Sequence, residues 1–177
     1  MGFILLLGGA RSGKSALAVR LGVESGSPVT FFATAAPGDD EMANRILRHR
    51  EDRPSDWTTI EAPLDLLDAV TAAGPNGFLV IDCLTLWVSN LLAEGQDAPQ
   101  IVAAADLLTR ELAQRRGVVV SNEVGLGIVP ANDLARSYRN VLGSVNMRFA
   151  ECAERSILMV AGRAVELTAS DTVFKPT

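Results

Sequence analysis

The sequence predicts an α/β protein, a three-layer sandwich on a mostly parallel sheet. Short runs of Ile, Val, Leu and Phe recur without clean apolar–polar alternation, the pattern of strands buried on both faces. Segments with helical periodicity fill the intervals, and strand–helix alternation with short connections builds a parallel sheet covered on both sides. No repeat, low-complexity segment or composition break interrupts the pattern, so residues 1–177 read as one domain.

In chain order, FILLL at 3–7 reads as the first strand and 14–24 as the first helix. VTFFAT at 29–34 is the second strand, and a helix over 40–53 follows. Pro54 ends that helix, because the residue before a proline disfavours the α conformation. TTIE at 58–61 adds a short strand, 64–73 a helix and FLVID at 78–82 a buried strand. Helices over 85–94 and 99–116 are separated by the linker-like LAEGQDAPQ at 92–100. VVVS at 118–121 is another strand, and 131–155 a long helix weakest at Gly143, which lowers helix propensity. ILMVAG at 157–162 reads as a strand, AVEL at 164–167 as a late edge strand, and the terminal SDTVFKPT as frayed or loosely docked.

The 177 residues are 48% apolar and 21% charged, ordinary values for a globular chain with a real core. A formal net charge of −5 argues against broad nucleic-acid binding, which needs a basic face, yet leaves room for a basic pocket around one nucleotide. Cys83 and Cys152 lack metal-type spacing and fit a reducing cytosol, although a single pairing stays open. FILLLGGA is too short to span a bilayer and has no basic stretch before it, so the expectation is a cytoplasmic protein without a membrane span.

GGARSGKS at 8–15 follows the first strand and opens the first helix. It matches G-x-x-x-x-G-K-[ST] at Gly8, Gly13, Lys14 and Ser15, the pattern of a phosphate-binding P-loop. Glycines let the backbone wrap so that successive N–H groups point inward, and the helix N-terminus adds its positive end. Lys14 is expected to reach the β- and γ-phosphates and the Ser15 hydroxyl to ligate Mg²⁺. Asp82, at the C-terminal tip of a buried strand, is expected to hold that Mg²⁺ directly or through water, and also suits the cap of the next helix. The N-K-x-D guanine signature is absent, so a Ras-like switch is a poor fit.

NRILRHREDRP at 44–54 holds the single histidine, His49, among Arg45, Arg48, Arg50 and Arg53. On a helix, His49 and Arg53 share the stripe of Met42 and Ile46. An arginine on an apolar stripe is costly against a plain core and sensible beside a cleft holding an anion. Two readings stand. The arginines form a solvated face paired with Glu41, Glu51 and Asp52. Or His49 is a nucleophile toward phosphorus, kept neutral by neighbouring cations that also steady a phosphoryl group in transfer. The P-loop favours the second. NEVGLGIVP at 122–130 follows VVVS, which sets Asn122 and Glu123 at another strand tip. Glu123 either serves the chemistry, as metal ligand, hydroxyl-positioning group or base, or makes a buried salt bridge to Arg136 or Arg139.

The P-loop, the helix DDEMANRILRHREDRP and NEVGLGIVP, in that order, resemble the bifunctional adenosylcobinamide kinase / adenosylcobinamide-phosphate guanylyltransferase family of cobalamin synthesis. The likeness runs from residue 3 to about 163. It implies a RecA-like P-loop fold and a homotrimer. It implies two reactions: a nucleoside triphosphate, ATP or GTP, phosphorylates adenosylcobinamide, and GTP then gives GMP to that phosphate through a guanylyl-histidine. By position, His49 is the nucleophile. Gly8, Gly9, Ala10, Arg11, Ser12, Gly13, Lys14 and Ser15 cradle the nucleotide. Ala33, Thr34 and Ala35, then Arg50, Glu51, Asp52 and Arg53, and finally Glu61 and Asp82 complete its contacts. Two other functions are weighed: a P-loop kinase for another small alcohol, which needs no covalent histidine, and a nucleotide-binding regulator without turnover.

Overall fold

The computed structural model describes residues 2–36 and 53–172. The helix expected over 40–53 lies outside them except for Arg53. Seven strands make one sheet: β1 (Phe3–Gly8), β2 (Val29–Ala33), β3 (Thr58–Glu61), β4 (Phe78–Asp82), β5 (Gly117–Val120), β6 (Arg155–Val160) and β7 (Arg163–Leu167). Their order is β3-β2-β4-β5-β1-β6-β7. Every pairing is parallel except that of β6 with β7. The described α-helices are α1 (Lys14–Glu24), α2 (Leu66–Ala72), α3 (Leu84–Ala93), α4 (Ala98–Leu112) and α5 (Asp133–Cys152). None is long and apolar enough to cross a membrane.

Both faces of the sheet are apolar because successive strand residues point to opposite sides and both sides are covered. Phe3, Leu5, Phe32, Leu79, Ile81 and Val119 pack with α2, α3, α4 and α5 through residues such as Leu66, Trp87, Ile101, Leu142 and Phe149. Leu6, Phe31, Val80, Val118, Val120 and Met159 face the other way, onto Ala18, Leu17 and Leu21 of α1. That is the three-layer arrangement the sequence predicts.

The largest departures from the expected boundaries are at α4, α5 and β6. α4 stops at Leu112 rather than 116, and Arg115 beyond it is buried. Its guanidinium donates to Val70 O (2.8 Å), to Gly74 O and to Glu111 Oε1 (3.1 Å), which binds the end of α4 to α2 and the turn after it. α5 stops at Cys152 rather than 155, because Ala153 turns extended and Glu154 N donates to Phe3 O (2.9 Å), starting the ladder with β1. β6 consequently begins at Arg155 and ends at Val160. Ala161 (φ 48°) and Gly162 (φ 74°) form a two-residue hairpin turn, whose two positive φ values match the twist of the flanking strands. The expected edge strand at 164–167 is β7. The loop expected over 92–100 is shorter, 94–97, because α3 runs on to Ala93 and a capping box between Asp97 and Gln100 starts α4 at Ala98.

Two glycines give opposite expectations. A Cβ on Gly117 would sit 2.7 Å from Leu79 O in the next strand, whereas one on Gly143, inside α5, would meet nothing within 4 Å. Gly117→Ala should destabilise by roughly 2 kcal/mol through backbone overlap. Gly143→Ala should stabilise by about 0.5–1 kcal/mol through helix propensity and a less entropic unfolded chain. Urea denaturation of both variants tests the pair, and the same sign for both would contradict it.

Candidate active site

Sheet register assembles the site. Ala33 of β2 pairs with Glu61 of β3 on one side and Asp82 of β4 on the other. Asp82 pairs with Val120 of β5, and Val120 with Leu6 of β1, two residues before Gly8. Glu61, Ala33 and Asp82 thus stand in one row at the C-terminal edge of the sheet, and the 8–15 loop leaves the same edge. Parallel sheets gather ligands there.

The loop's shape rests on glycine. Gly8 has φ 146°, and a Cβ there would collide with the Met159 carbonyl oxygen of β6. Gly13, at the N-cap of α1, is left-handed at φ 97°. Lys14 is only 6% exposed, and its ammonium donates to Gly8 O (2.9 Å), Gly9 O (2.7 Å) and Ser12 Oγ (3.3 Å). A cation so held faces the loop from inside. Gly9, Ala10 and Arg11 are exposed at the mouth. Ser15 follows in the first turn of α1, among the free N–H groups of the helix N-terminus.

The 33–35 segment is clamped. Thr34 is fully buried; its hydroxyl donates to Cys83 O (2.7 Å) and accepts from Cys83 N (2.8 Å). Its own N–H reaches Asp82 O (3.4 Å). Asn90 of α3 donates to both Thr34 O (2.9 Å) and Pro63 O (3.0 Å), and Trp87 Nε1 to Leu64 O (2.9 Å). The Thr34 hydroxyl therefore serves the backbone after Asp82, and α3 holds the tips of β2, β3 and β4 together.

Glu123 stands beside the cradle: its N–H donates to Gly8 O (3.1 Å), the carbonyl that Lys14 also binds. Its carboxylate accepts from Gly125 N. Arg136 pairs with Asp133 and Arg139 donates to Gly125 O (2.9 Å), so among the described residues neither arginine makes the salt bridge to Glu123. Behind Glu123, Ser121 Oγ donates to buried Asn146 Oδ1 (2.6 Å), Asn146 Nδ2 to Asn122 O (3.0 Å), and Asn122 N to Thr85 Oγ1 (2.9 Å). Asn90 and Asn146 went unnoticed in the sequence. The available signal was an asparagine inside an apolar helical pattern, where its competing hydrogen bonds disfavour it.

His49, Arg50, Glu51 and Asp52 lie outside the described residues. Arg53 is described, and its guanidinium stacks over the Phe31 ring of β2, 3.4 Å from the centroid. The structure thus sets the 8–15 loop, Ala33 to Ala35, Glu61, Asp82 and Glu123 along one edge of the sheet, with Glu61 four strands away from β1.

The family model described as cobinamide kinase / cobinamide phosphate guanyltransferase matches residues 4–167, nearly the whole chain. The chain belongs to that family. It is 44% identical over 166 residues to the bifunctional adenosylcobalamin biosynthesis protein CobP of Pseudomonas aeruginosa, covering 92% of this chain and 95% of that one. It is 38% identical over 179 residues to CobU of Salmonella typhimurium, covering 93% and 98%. Among solved structures it resembles the RadB recombinase (TM-score 0.53, 15% identity, 89% of this chain and 73% of that one). A type III secretion ATPase gives TM-score 0.53 at 12% identity, over 96% and 59%. At such identities these two show the fold alone, that of P-loop NTPases. As a cobinamide kinase / guanyltransferase, the chain is an enzyme that uses nucleotides, phosphorylating cobinamide and guanylylating its phosphate.

Burial, and next the Asp82 carboxylate, push the Cys83 thiol from 9.0 up to about 11. Burial likewise raises the Tyr138 phenol to about 12, and its protonated hydroxyl donates to Thr85 O (3.2 Å). For Cys83 the folded value exceeds the unfolded one. Its contribution to stability is therefore complete below pH 9.0 and lost as pH climbs toward about 11. In this family member, iodoacetamide at pH 8 should label exposed Cys152 and spare Cys83, with Cys83 labelling rising only toward pH 11. Peptide mass mapping checks this; equal labelling at pH 8 would contradict it.

Proposed function

We propose that the 8–15 loop holds the triphosphate of the nucleotide in both reactions. Gly8 to Ser15 supply backbone N–H groups, and Lys14 turns its ammonium from the loop's own oxygens to the β- and γ-phosphates. Ala33, Thr34, Ala35 and Glu61 lie along the row where the nucleoside would rest. The Ser15 hydroxyl and the Asp82 carboxylate are hard oxygen donors on the phosphate side, and that chemistry fits Mg²⁺ completed by phosphate oxygens and water. β5 lies between β1 and β4, so Asp82 starts about 10 Å from the β1 backbone, a distance suited to contact through water. Bound there, Mg²⁺ would neutralise charge on the phosphates.

In the kinase step Glu123 accepts the proton of the cobinamide hydroxyl as that oxygen attacks the γ-phosphorus and the nucleoside diphosphate leaves. In the second step a neutral His49 nitrogen attacks the α-phosphorus of GTP. The bond from that phosphorus to the bridging oxygen breaks and pyrophosphate leaves. The phosphate of adenosylcobinamide phosphate then displaces His49, giving adenosylcobinamide-GDP. Arg50, Glu51, Asp52 and Arg53 follow the nucleophile and contact the nucleotide, the arginines stabilising the phosphoryl group. Residues 1–177 carry both steps as one domain, and the family likeness extends the reading to a cytoplasmic homotrimer.

The observation that carries this reading is the Gly8 carbonyl, shared by the Lys14 ammonium and the Glu123 N–H. It ties the backbone of Glu123 to the loop, which supports a role for its carboxylate beside the triphosphate. Incubation with GTP labelled at the α-phosphate should leave label on wild-type protein that survives base and is released by acid, as a phosphoramidate is. His49→Ala should retain none while phosphorylating cobinamide; label retained by that variant would refute the assignment. A wild type that phosphorylates without retaining label would favour the single-function kinase. Glu123→Gln should do the converse, lowering the kinase kcat by roughly a hundredfold or more while label still accumulates on His49. Unchanged kinase turnover would remove Glu123 from the mechanism.

A further inference from the structure

The segment between β5 and α5 exposes large apolar side chains in close succession. Leu126 is 85% exposed, Ile128 98% and Val129 62%, and Leu134 in the first turn of α5 is 70% exposed. Isolated apolar residues on a surface need no explanation, but a run of them marks a contact site. The segment's backbone is held. Val124 packs against the core at its root. Arg139 donates to Gly125 O (2.9 Å), and Arg136 to Pro130 O (2.9 Å) and Ala131 O (2.6 Å). Asn132 caps α5 by accepting from Leu134 N (2.8 Å) and Ala135 N (3.2 Å). Side chains on a fixed backbone are pre-organised for a partner, which lowers the ordering cost of binding.

The position selects the partner. The segment is rooted at Glu123, whose N–H is bound to the Gly8 carbonyl of the phosphate cradle. The nucleotide is accounted for by the 8–15 loop and the row of Ala33, Glu61 and Asp82, and its polar phosphates have no use for Leu126 or Ile128. The other substrate must bring its hydroxyl to the same place. A corrin is a broad macrocycle with methyl groups on its faces and amide arms at its rim, so its faces demand an apolar support. We propose that residues 124–130 form the platform on which the corrin ring of cobinamide docks. The ring lies against Leu126, Ile128 and Val129 while its aminopropanol arm extends toward Glu123. This inference rests on the functional reading above.

The test uses Ile128→Ser and Val129→Ser, singly and together, at exposed positions where the fold should not suffer. Three quantities are read: KM for adenosylcobinamide in the kinase step, Kd for a fluorescent GTP analogue, and mass by sedimentation. Expected is a rise in cobinamide KM of roughly tenfold for each apolar side chain replaced. GTP affinity should stay within about twofold and mass should be unchanged. An unchanged cobinamide KM overturns the platform. So does a fall in mass with weakened binding of both ligands, which would assign the segment to the interface between copies of the chain. A wild type inert toward cobinamide would overturn the functional reading itself, an outcome visible before any variant is compared.

Discussion

The site hangs on one backbone position. Gly8 ends β1 with a φ of 146°, pressed against the Met159 carbonyl of β6 so closely that no side chain fits. Its carbonyl turns toward both Lys14 and Glu123. One peptide therefore fixes the direction in which the 8–15 loop wraps, the resting place of the ammonium and the root of the 124–130 segment. A residue confined to ordinary φ would carry the chain elsewhere, and the three features would no longer converge.

The rest of the fold supplies the frame. Parallel strands bring their C-terminal tips to one edge, and the register of β2 with β3 and β4 sets Ala33, Glu61 and Asp82 in one row there. The tips are then tied laterally by a few buried polar groups. Thr34 binds the backbone after Asp82, Asn90 binds Thr34 and Pro63, and Asn146 binds Ser121 and Asn122. Among the described residues no buried side-chain nitrogen or oxygen lacks a partner. In a low-dielectric interior, fully satisfied networks of this kind hold geometry firmly. They let a site built from loops keep its shape.

Much of this was legible in the sequence where the determinants are local. The 8–15 motif declares itself because loop, lysine and hydroxyl lie within eight residues, and the strands because burial on both faces leaves unbroken apolar runs. Asp82 and Glu123 were legible as residues closing such runs. Determinants that act across the chain were hidden. Asn90 meets Thr34 across 56 positions, and only the fold reveals the meeting. The hairpin at Ala161–Gly162 passed for strand because alanine rarely takes a positive φ. α4 was extended too far because Gln114, Arg115 and Arg116 are good helix formers, and the buried bonds of Arg115 override that propensity. The exposure of Leu126, Ile128 and Val129 was hidden as well, since exposure is not written in sequence.

On the reading proposed above, the turn at Gly8 creates the triphosphate site. Calorimetric titration of Gly8→Ala with GTP, alongside wild type and with circular dichroism confirming a folded chain, tests it directly. The account predicts that GTP affinity falls by roughly a hundredfold or more, the scale set by removing several hydrogen bonds to phosphate of about 1–3 kcal/mol each. A folded Gly8→Ala protein that binds GTP as tightly as wild type would contradict it.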